Sequence, residues 1–389
     1  MKHLPFTLVA LGMIFSMIPM AGYAEEDSTQ ITRDGLTYEI VSLEDGTKRA
    51  YITDVVDKAN VTSVYIPDSI DNAAVIGIDG ALDAPVNGTV FTYCPNLETI
   101  EVSPENSRYS SVDGVLYNKN GTRLLRYPRG RKGEYNIPEG TTLLDVCSFA
   151  GAAELTSVSL PESLQDVQAG AFDECFSLET VNGAVPTTNG HLFVRCSCLK
   201  AIQFAEMDEE HAEIIDLDFT GCTSLEKIVI PKTRILTGNV TIAACDSLQE
   251  ITLPNIRSTS CITVIDNVAL ERMIIPQSEM VSLSFKLANS QPFEVYGYSS
   301  NTALVQSCEA AGLKFYPLSP EQTLSAGDVD GNGAIDLLDV ITLNKNLLGL
   351  QQLDESQQKA ADVNADDSLD SSDSLLILRY TVHLEDKLG

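Results

Sequence analysis

The 389-residue sequence predicts a β-rich solenoid of short repeats, followed by a small all-α calcium-binding module made of two loop–helix halves. The solenoid is indicated by a motif that returns every 21 to 26 residues, each time followed by a segment of alternating apolar and polar residues. The module is indicated by two aspartate-rich loops that lie 34 residues apart near the C-terminus. With 44% apolar residues, the chain has enough material for a sizeable core.

The N-terminus has the features of an export signal. An apolar stretch from Leu4 to Met20 follows Lys2, and Ala21-Gly22-Tyr23-Ala24 provides an A-x-A-like cleavage site. We therefore predict that residues 1–24 are a signal peptide and that the mature protein is secreted. No later stretch is apolar enough to cross a bilayer, so membrane insertion is not expected.

The composition excludes several classes of partner. A formal net charge of -30 argues against nucleic acid and anionic membranes, because both require a cationic surface. The chain has no Trp and only 6% aromatic residues, whereas clefts that stack sugars need flat aromatic side chains. A glycosidase or a carbohydrate-binding module is therefore disfavoured.

The repeat motif is an aromatic or aliphatic residue, two residues, Cys, two residues, and Leu. Two degenerate copies carry Ala152 or Asn267 at the Cys position. The intact copies are Phe91/Cys94/Leu97, Phe172/Cys175/Leu178, Phe193/Cys196/Leu199, Phe219/Cys222/Leu225 and Ile242/Cys245/Leu248.

Each motif leucine precedes a short predicted strand that often ends at proline. In the segment after Leu225, alternation points Ile228 and Ile230 inward and Lys227 outward, and Pro231 ends the strand. Stacked units of this kind bury one continuous core. The predicted outward positions are Thr99, Glu101, Ser157, Ser159, Ala201, Gln203, Lys227, Val229, Glu250, Thr252, Arg272 and Ile274. This face is mixed, nearly neutral and without an aromatic ring, which favours protein recognition over catalysis.

The motif cysteines have two interpretations. One is a buried ladder of small apolar side chains, which the Ala and Asn replacements favour. The other is metal binding, suggested by Cys196-Ser197-Cys198 with His191 nearby. An odd total of nine cysteines leaves the existence of disulfides open.

From about Val61 to Leu318 the chain resembles the BspA-like, bacterial surface-antigen type of leucine-rich repeat. The I-x-I-P strand and the A-F-x-x-C-x-x-L turn of that family are kept best from Val167 to Pro231. The resemblance implies a β-rich insertion from Val112 to Pro128 and a strand-helix-strand cap from Val295 to Phe315. It also implies a leucine-rich-repeat domain over residues 25–318, with an N-terminal β region.

A linker over residues 319–326 follows, marked by Pro317 and Pro320. Beyond it, Gly333 occupies position 6 of a 12-residue EF-hand-like loop, where a sharp turn is needed. The predicted calcium ligands of the two loops are Asp328, Asp330, Asn332, the Ala334 carbonyl, Asp336 and Asp339, and then Asp362, Asn364, Asp366, Ser368, Asp370 and Asp373. We expect two calcium ions, with weaker binding in the second loop, where Asp367 replaces the glycine.

Aspartate at position 12 and a single helix after each loop separate these halves from ordinary EF-hands. The helices are predicted from Leu338 to Leu348 and from Ser372 to about Leu384, with a helical connector from Asp354 to Ala361. Ile335 and Leu369 are expected to pair as short strands between the loops. Residues 327–389 thereby resemble a type I dockerin. This implies binding to a cohesin module of a scaffoldin, as in a cellulosome.

The resemblance also implies which residues face the cohesin. They are Leu337, Leu338, Asn344 and Lys345 in the first half, and Ser371, Ser372, Leu378 and Arg379 in the second. An apolar pair in one half thus corresponds to a hydroxyl pair in the other. An alternative interpretation places Leu338 in the core.

Three functions are compatible with these features. The first is a non-catalytic cellulosomal subunit, secreted and retained at the cell surface or the cellulosome through its dockerin, whose repeats recognise a protein or a surface. The second is a polysaccharide or peptide hydrolase with an unrecognised active site in the repeats. The third is an adhesin. Because H-E-x-x-H, G-x-S-x-G, P-loop and G-x-G-x-x-G motifs are absent from the sequence, the first is expected and no catalytic residues are assigned.

Overall fold

A computed structural model describes residues 28–78, 89–205, 213–214, 216–231, 235–253, 255–256, 260–276, 283–318, 325–330, 335–353, 355–366, 368–382 and 384. The predicted signal peptide and most of the linker lie outside the described residues. So do the predicted ligands Asn332 and Ala334, and Asp367.

The N-terminal region is a five-stranded sheet in the order β1-β2-β3-β6-β5. The strand β4 is not part of this sheet and pairs with the later strand Thr99–Val102. Tyr38 and Ile52 on neighbouring strands are buried in a core of their own. The strands are β1 (Ser28–Arg33), β2 (Leu36–Ser42), β3 (Lys48–Val55), β4 (Ser63–Ile66), β5 (Ser69–Ile70) and β6 (Ala73–Ile78).

The predicted insertion is an antiparallel meander that joins the solenoid. A short 3-10 helix (Thr89–Phe91) precedes it, and Asp113 and Gly114 both have positive φ, as a two-residue hairpin turn requires. The strands of this region are β7 (Thr99–Val102), β8 (Tyr109–Val112), β9 (Val115–Asn118), β10 (Arg123–Arg126) and β11 (Gly133–Asn136).

The repeats that follow stack in parallel. From β17 to β25 each repeat adds one strand to each of three sheets. The strands are β12 (Leu143–Leu144), β13 (Leu155–Ser159), β14 (Asp166–Gln168), β15 (Thr180–Asn182), β16 (Thr187–Asn189), β17 (Ala201–Gln203), β18 (Glu213–Ile214), β19 (Leu217–Asp218), β20 (Lys227–Val229), β21 (Ile235–Leu236), β22 (Val240–Ala243), β23 (Glu250–Thr252), β24 (Asn255–Ile256), β25 (Ser260–Ile265), β26 (Arg272–Ile275) and β27 (Leu283–Ala288).

The strand-helix-strand cap consists of β28 (Glu294–Tyr298), α1 (Thr302–Ala311) and β29 (Lys314–Leu318). Its strands complete a six-stranded parallel sheet in the order β17-β20-β23-β26-β28-β29, which we call the leucine-side sheet. A nine-stranded sheet (β24-β21-β18-β16-β14-β12-β10-β9-β8) and a four-stranded sheet (β19-β22-β25-β27) form other walls. The predicted solenoid is therefore confirmed.

The predicted strand register is also confirmed. Leu225, Ile228 and Ile230 are buried in one core that extends from Val115 to Leu313, whereas Lys227 and Val229 are exposed. The motif leucines from Leu155 to Leu270 all belong to this core, whereas Leu97 of the first copy packs in the N-terminal core.

The motif cysteines form the buried ladder that the repeats suggested. The Cys196 thiol donates to the carbonyl oxygen of Phe172 at 3.0 Å, and the Cys222 thiol donates in the same way to Phe193. At the degenerate position Asn267 replaces this link with amide hydrogen bonds to the carbonyl oxygens of Ile242 and Ile265. All nine cysteines are free.

The alternative of a Cys196–Cys198 metal site is not supported. Cys196 is buried and burial raises the pKa of its thiol, while Cys198 is exposed to solvent. His191 pairs instead with Asp173, with its Nε2 atom 3.0 Å from a carboxylate oxygen.

The C-terminal module consists of α2 (Leu337–Leu347), α3 (Glu355–Ala361) and α4 (Ser371–Thr381) around a small core. That core includes Val329, Val340, Leu343, Val363 and Ile377. Within the described residues no strand pairing joins the loops, so the prediction for Ile335 and Leu369 is wrong. Both side chains are half-buried and pack against the module's core instead.

Candidate functional site: paired acidic loops and their helices

Asp336 and Asp339 fix the start of α2. The Asp336 side chain accepts a hydrogen bond from the backbone nitrogen of Leu338 at 2.7 Å, and the Asp339 side chain accepts one from the backbone nitrogen of Asp336 at 2.8 Å. This reciprocal capping box starts the helix at Leu337, one residue earlier than predicted. The other Asp339 oxygen accepts from the Asp330 backbone nitrogen at 3.0 Å, which ties the loop to the helix.

Three carboxylates of the first loop meet at one point. Oxygens of Asp328, Asp330 and Asp339 lie within 4.8 Å of one another, and they are the one such group of three in the described part of the chain. Asp328 and Asp339 are buried, and burial raises the pKa of the Asp339 carboxyl. Like charges this close repel one another, a bound cation would relieve that repulsion, and hard oxygens suit calcium. The described ligands of the first loop therefore fit a calcium ion.

The second loop repeats the scaffold. Asp373 is buried, and its two oxygens accept from the backbone nitrogens of Val363 and Asp370, each at 3.1 Å. Asp370 caps α4 as Asp336 caps α2. The position-12 aspartates therefore have the same role in both halves.

The remaining ligand positions of the second loop are arranged differently. The Asp366 backbone nitrogen donates to side-chain oxygens of Asp362 and Asn364, at 3.1 and 3.0 Å. The Ser368 backbone N–H donates a hydrogen bond to a carboxylate oxygen of Asp366 at 2.9 Å. These oxygens are engaged by the loop's own backbone, and among the described residues this loop has no group of three acidic ligands as close as that in the first.

The residues expected to face a cohesin lie mostly on the surface. Leu337 is 58% exposed and Leu338 is 54% exposed, so Leu338 is not a core residue. Ser371 and Ser372 are exposed at the matching positions. The other predicted cohesin-facing residues differ in exposure. Asn344, Lys345 and Arg379 are exposed, whereas Leu378 is half-buried against the module's core.

Sequence reasoning missed six exposed apolar residues that extend this surface. They occur in pairs separated by the same 34 residues as the loops, namely Ile341 and Leu375, Leu348 and Val382, and Leu350 and Leu384. Ile341 and Leu348 lie four and eleven residues after Leu337, so helical spacing could have placed them on its face. Both halves of the module therefore carry an exposed apolar stripe. They differ at its N-terminal end, where one half has two leucines and the other has two serines.

The leucine-side sheet differs from the expectation in one respect. All twelve predicted outward residues are exposed or half-buried, and eight of them lie on this sheet, on β17, β20, β23 and β26. The sheet also carries aromatic rings, because β28 and β29 extend it with Tyr296 and Tyr316. The sequence-based list ended at Ile274 since the cap strands lack the repeat motif.

Two protein families match separate parts of the chain. Residues 326–381 match the dockerin type I domain, and residues 133–216 and 191–290 match the BspA type leucine rich repeat region in six copies. No curated protein matches the chain significantly.

Solved structures of bacterial proteins are similar to parts of the chain. A leucine-rich repeat protein from Eubacterium ventriosum is 25% identical, with 59% of each chain covered and a TM-score of 0.46. The pneumococcal vaccine antigen PcpA is 13% identical, with 75% of this chain and 99% of that chain covered and a TM-score of 0.36. A leucine rich cell surface protein from Faecalibacterium prausnitzii is 22% identical, with 68% of this chain and 49% of that chain covered and a TM-score of 0.33. The chain thus contains a BspA-type leucine-rich repeat region and a C-terminal type I dockerin domain.

Proposed function

We propose that this chain is a secreted, non-catalytic subunit of a cellulosome-type assembly. Its dockerin, over residues 327–389, binds a scaffoldin cohesin in a calcium-dependent way, and its repeats, over residues 25–318, recognise a protein or a cell surface. The observation that carries the proposal is the duplicated loop–helix unit, in which buried Asp339 and Asp373 each tie an acidic loop to a helix with an exposed apolar stripe.

Calcium is proposed to hold each loop in its binding shape. A module of about sixty residues gains only a few kcal/mol from its own core. Asp328, Asp330 and Asp339 would repel one another without a cation. A bound ion at a hundredfold over its dissociation constant adds about 2.7 kcal/mol per site. Folding of the dockerin is therefore expected to follow calcium occupancy.

The cohesin is proposed to bind one half of the dockerin in preference to the other. Leu337 and Leu338 offer exposed apolar area where the second half has Ser371 and Ser372. Burying two leucine side chains supplies several kcal/mol that two hydroxyls cannot supply. A single preferred orientation follows from this difference.

The repeats are proposed to bind and not to catalyse. Neither matched family is catalytic. On the leucine-side sheet the Glu250 carboxylate is engaged by Lys227 at 2.6 Å and by Arg272 at 3.3 Å, so it is not poised for proton transfer. In the described residues no helix is both long and apolar enough to cross a membrane. Export followed by dockerin attachment is the proposed route to the cell surface.

Calorimetry of the full chain with a panel of scaffoldin cohesins tests the proposal. We expect binding in calcium, loss of binding in EDTA, and recovery when calcium is restored. The double variant Asp339→Asn/Asp373→Asn should lose binding, and Asp246→Asn, an exposed aspartate of the repeats, is the matched control. Cohesin binding that resists both EDTA and the double substitution would refute calcium dependence. Binding to no cohesin would refute the adaptor role.

A further inference from the structure

The C-terminal end of the leucine-side sheet presents two rows of outward side chains. The parallel register aligns one residue from each strand in each row. From β20 to β29 the charged row is Lys227, Glu250, Arg272, Glu294 and Lys314. The apolar row, in which only Thr252 is polar, is Val229, Thr252, Ile274, Tyr296 and Tyr316. An apolar strip with a charged border has the composition of a protein interface.

Most of the charged row is satisfied internally. Glu250 bridges Lys227 and Arg272, and Glu294 accepts a hydrogen bond from the Tyr296 hydroxyl at 2.7 Å. Lys314 differs, because no carboxylate of the described residues lies within ion-pair distance of its amino group. Lys314 lies beside Glu294 in the register but is exposed, so a partner's carboxylate can also reach its amino group.

The rings of Tyr296 and Tyr316 stack on each other. The Tyr296 and Tyr316 centroids are 5.2 Å apart with an interplanar angle of 18°. The Arg272 guanidinium lies 5.7 Å from the Tyr296 centroid, on the opposite side because β28 runs between β26 and β29. Both faces of the Tyr296 ring are therefore occupied, so this ring cannot stack against a sugar. The free ring edges, beside Ile274, suit an aliphatic or aromatic protein side chain.

We infer that this end of the sheet, which we call the tyrosine platform (Ile274, Tyr296, Lys314 and Tyr316), binds an extended polypeptide segment of a partner. The segment places an aliphatic or aromatic side chain against Ile274 and the tyrosine edges, and a carboxylate against Lys314. The inference rests on the proposed recognition role of the repeats and specifies its ligand.

Charge favours this occupant over a second copy of the chain. Two copies with a net charge of -30 each repel as they approach. A single carboxylate on a short segment escapes most of that repulsion, since charges beyond about 8 Å are screened at physiological ionic strength. The attraction between this carboxylate and Lys314 is then the main charge interaction of the bound segment.

Selection of phage-displayed random dodecapeptides against the full calcium-loaded chain tests the inference. The selection is run in parallel on the wild type, Tyr296→Ser/Tyr316→Ser, Lys314→Glu and Tyr65→Ser. Tyr65 is an exposed tyrosine on β4 at the other end of the solenoid and serves as the matched control. Matching melting temperatures show that each variant is folded, and the affinities of synthetic copies of the selected peptides are measured by calorimetry.

We expect a wild-type peptide family that combines an apolar anchor with Asp or Glu, and that binds the double tyrosine variant about tenfold or more weakly. Lys314→Glu should weaken the same peptides, and Tyr65→Ser should leave them unchanged. The inference is overturned if no such family is selected or if the double variant binds it equally well. Cohesin titration of the same preparations reports on the dockerin separately, so failure of the adaptor role and failure of the tyrosine platform are distinguishable.

Discussion

Replacing Leu225 by Ala should remove a large share of the free energy of unfolding of the repeat region. Leu225 is fully buried, as are the motif leucines of the adjacent repeats, Leu199 and Leu248. Substitutions of this type cost about 2 to 5 kcal/mol, and the cost rises with the cavity that remains. Because packed neighbours on both sides hinder collapse around the cavity, we expect the upper part of that range, about 3 to 5 kcal/mol.

Two exposed residues of the next strand provide the controls. Val229→Ala also shortens an aliphatic side chain, but Val229 is 47% exposed, so its expected cost is within about 0.5 kcal/mol. Lys227→Ala removes a surface ion pair with Glu250, which is worth about 1 kcal/mol at most. Urea unfolding of the full chain in calcium, followed by circular dichroism of the β structure, measures all three variants. Equal shifts in the unfolding midpoint for Leu225→Ala and Val229→Ala would refute the inward and outward assignment.

The remaining predictions concern the dockerin, the thiols and catalysis. Residues 319–389 should lose most of their helical circular dichroism in EDTA and regain it when calcium is restored; an unchanged spectrum would contradict calcium-dependent folding. Leu337→Ser should weaken cohesin binding while Ser371→Ala changes it little, and equal losses by calorimetry would contradict a single orientation. Iodoacetamide should alkylate exposed Cys198 in the native chain but modify Cys196 only after unfolding, because burial raises the pKa of the Cys196 thiol; equal labelling by mass spectrometry would contradict the ladder. The purified chain should hydrolyse neither plant polysaccharides nor casein, and activity that disappears when one or two carboxylates of the repeats are changed would establish the enzyme alternative.

Local patterns predicted most of the architecture. The alternation of apolar and polar residues after Leu225 predicted which side chains point inward, because successive side chains on a strand point to opposite faces. The leucine period predicted that the repeats stack. The spacing of aspartates in the first loop similarly predicted that Asp328, Asp330 and Asp339 converge. In each case the residues that meet are close in the chain or repeat at a fixed interval.

Features that depend on distant segments were not predictable in this way. The family resemblance implied a strand-helix-strand cap, but the repeat motif did not show that its two strands pair with Tyr296 beside Tyr316. Asn267 fits the cysteine ladder through its amide hydrogen bonds, which a search for small apolar residues overlooks. The expected pairing of Ile335 with Leu369 was wrong, since neither residue lies in a strand and both side chains pack against the module's core.

The two parts of the chain owe their order to different sources. The repeat region is held by a continuous apolar core and by thiol and amide hydrogen bonds between repeats, none of which requires an ion. The dockerin has a small core, and in its first loop three carboxylates lie close together, where a bound cation would offset their repulsion. In the proposed function, a medium without calcium would therefore release the cohesin while the repeats stay folded. Calcium concentration would control attachment to the scaffold without unfolding the repeats or changing their binding surface.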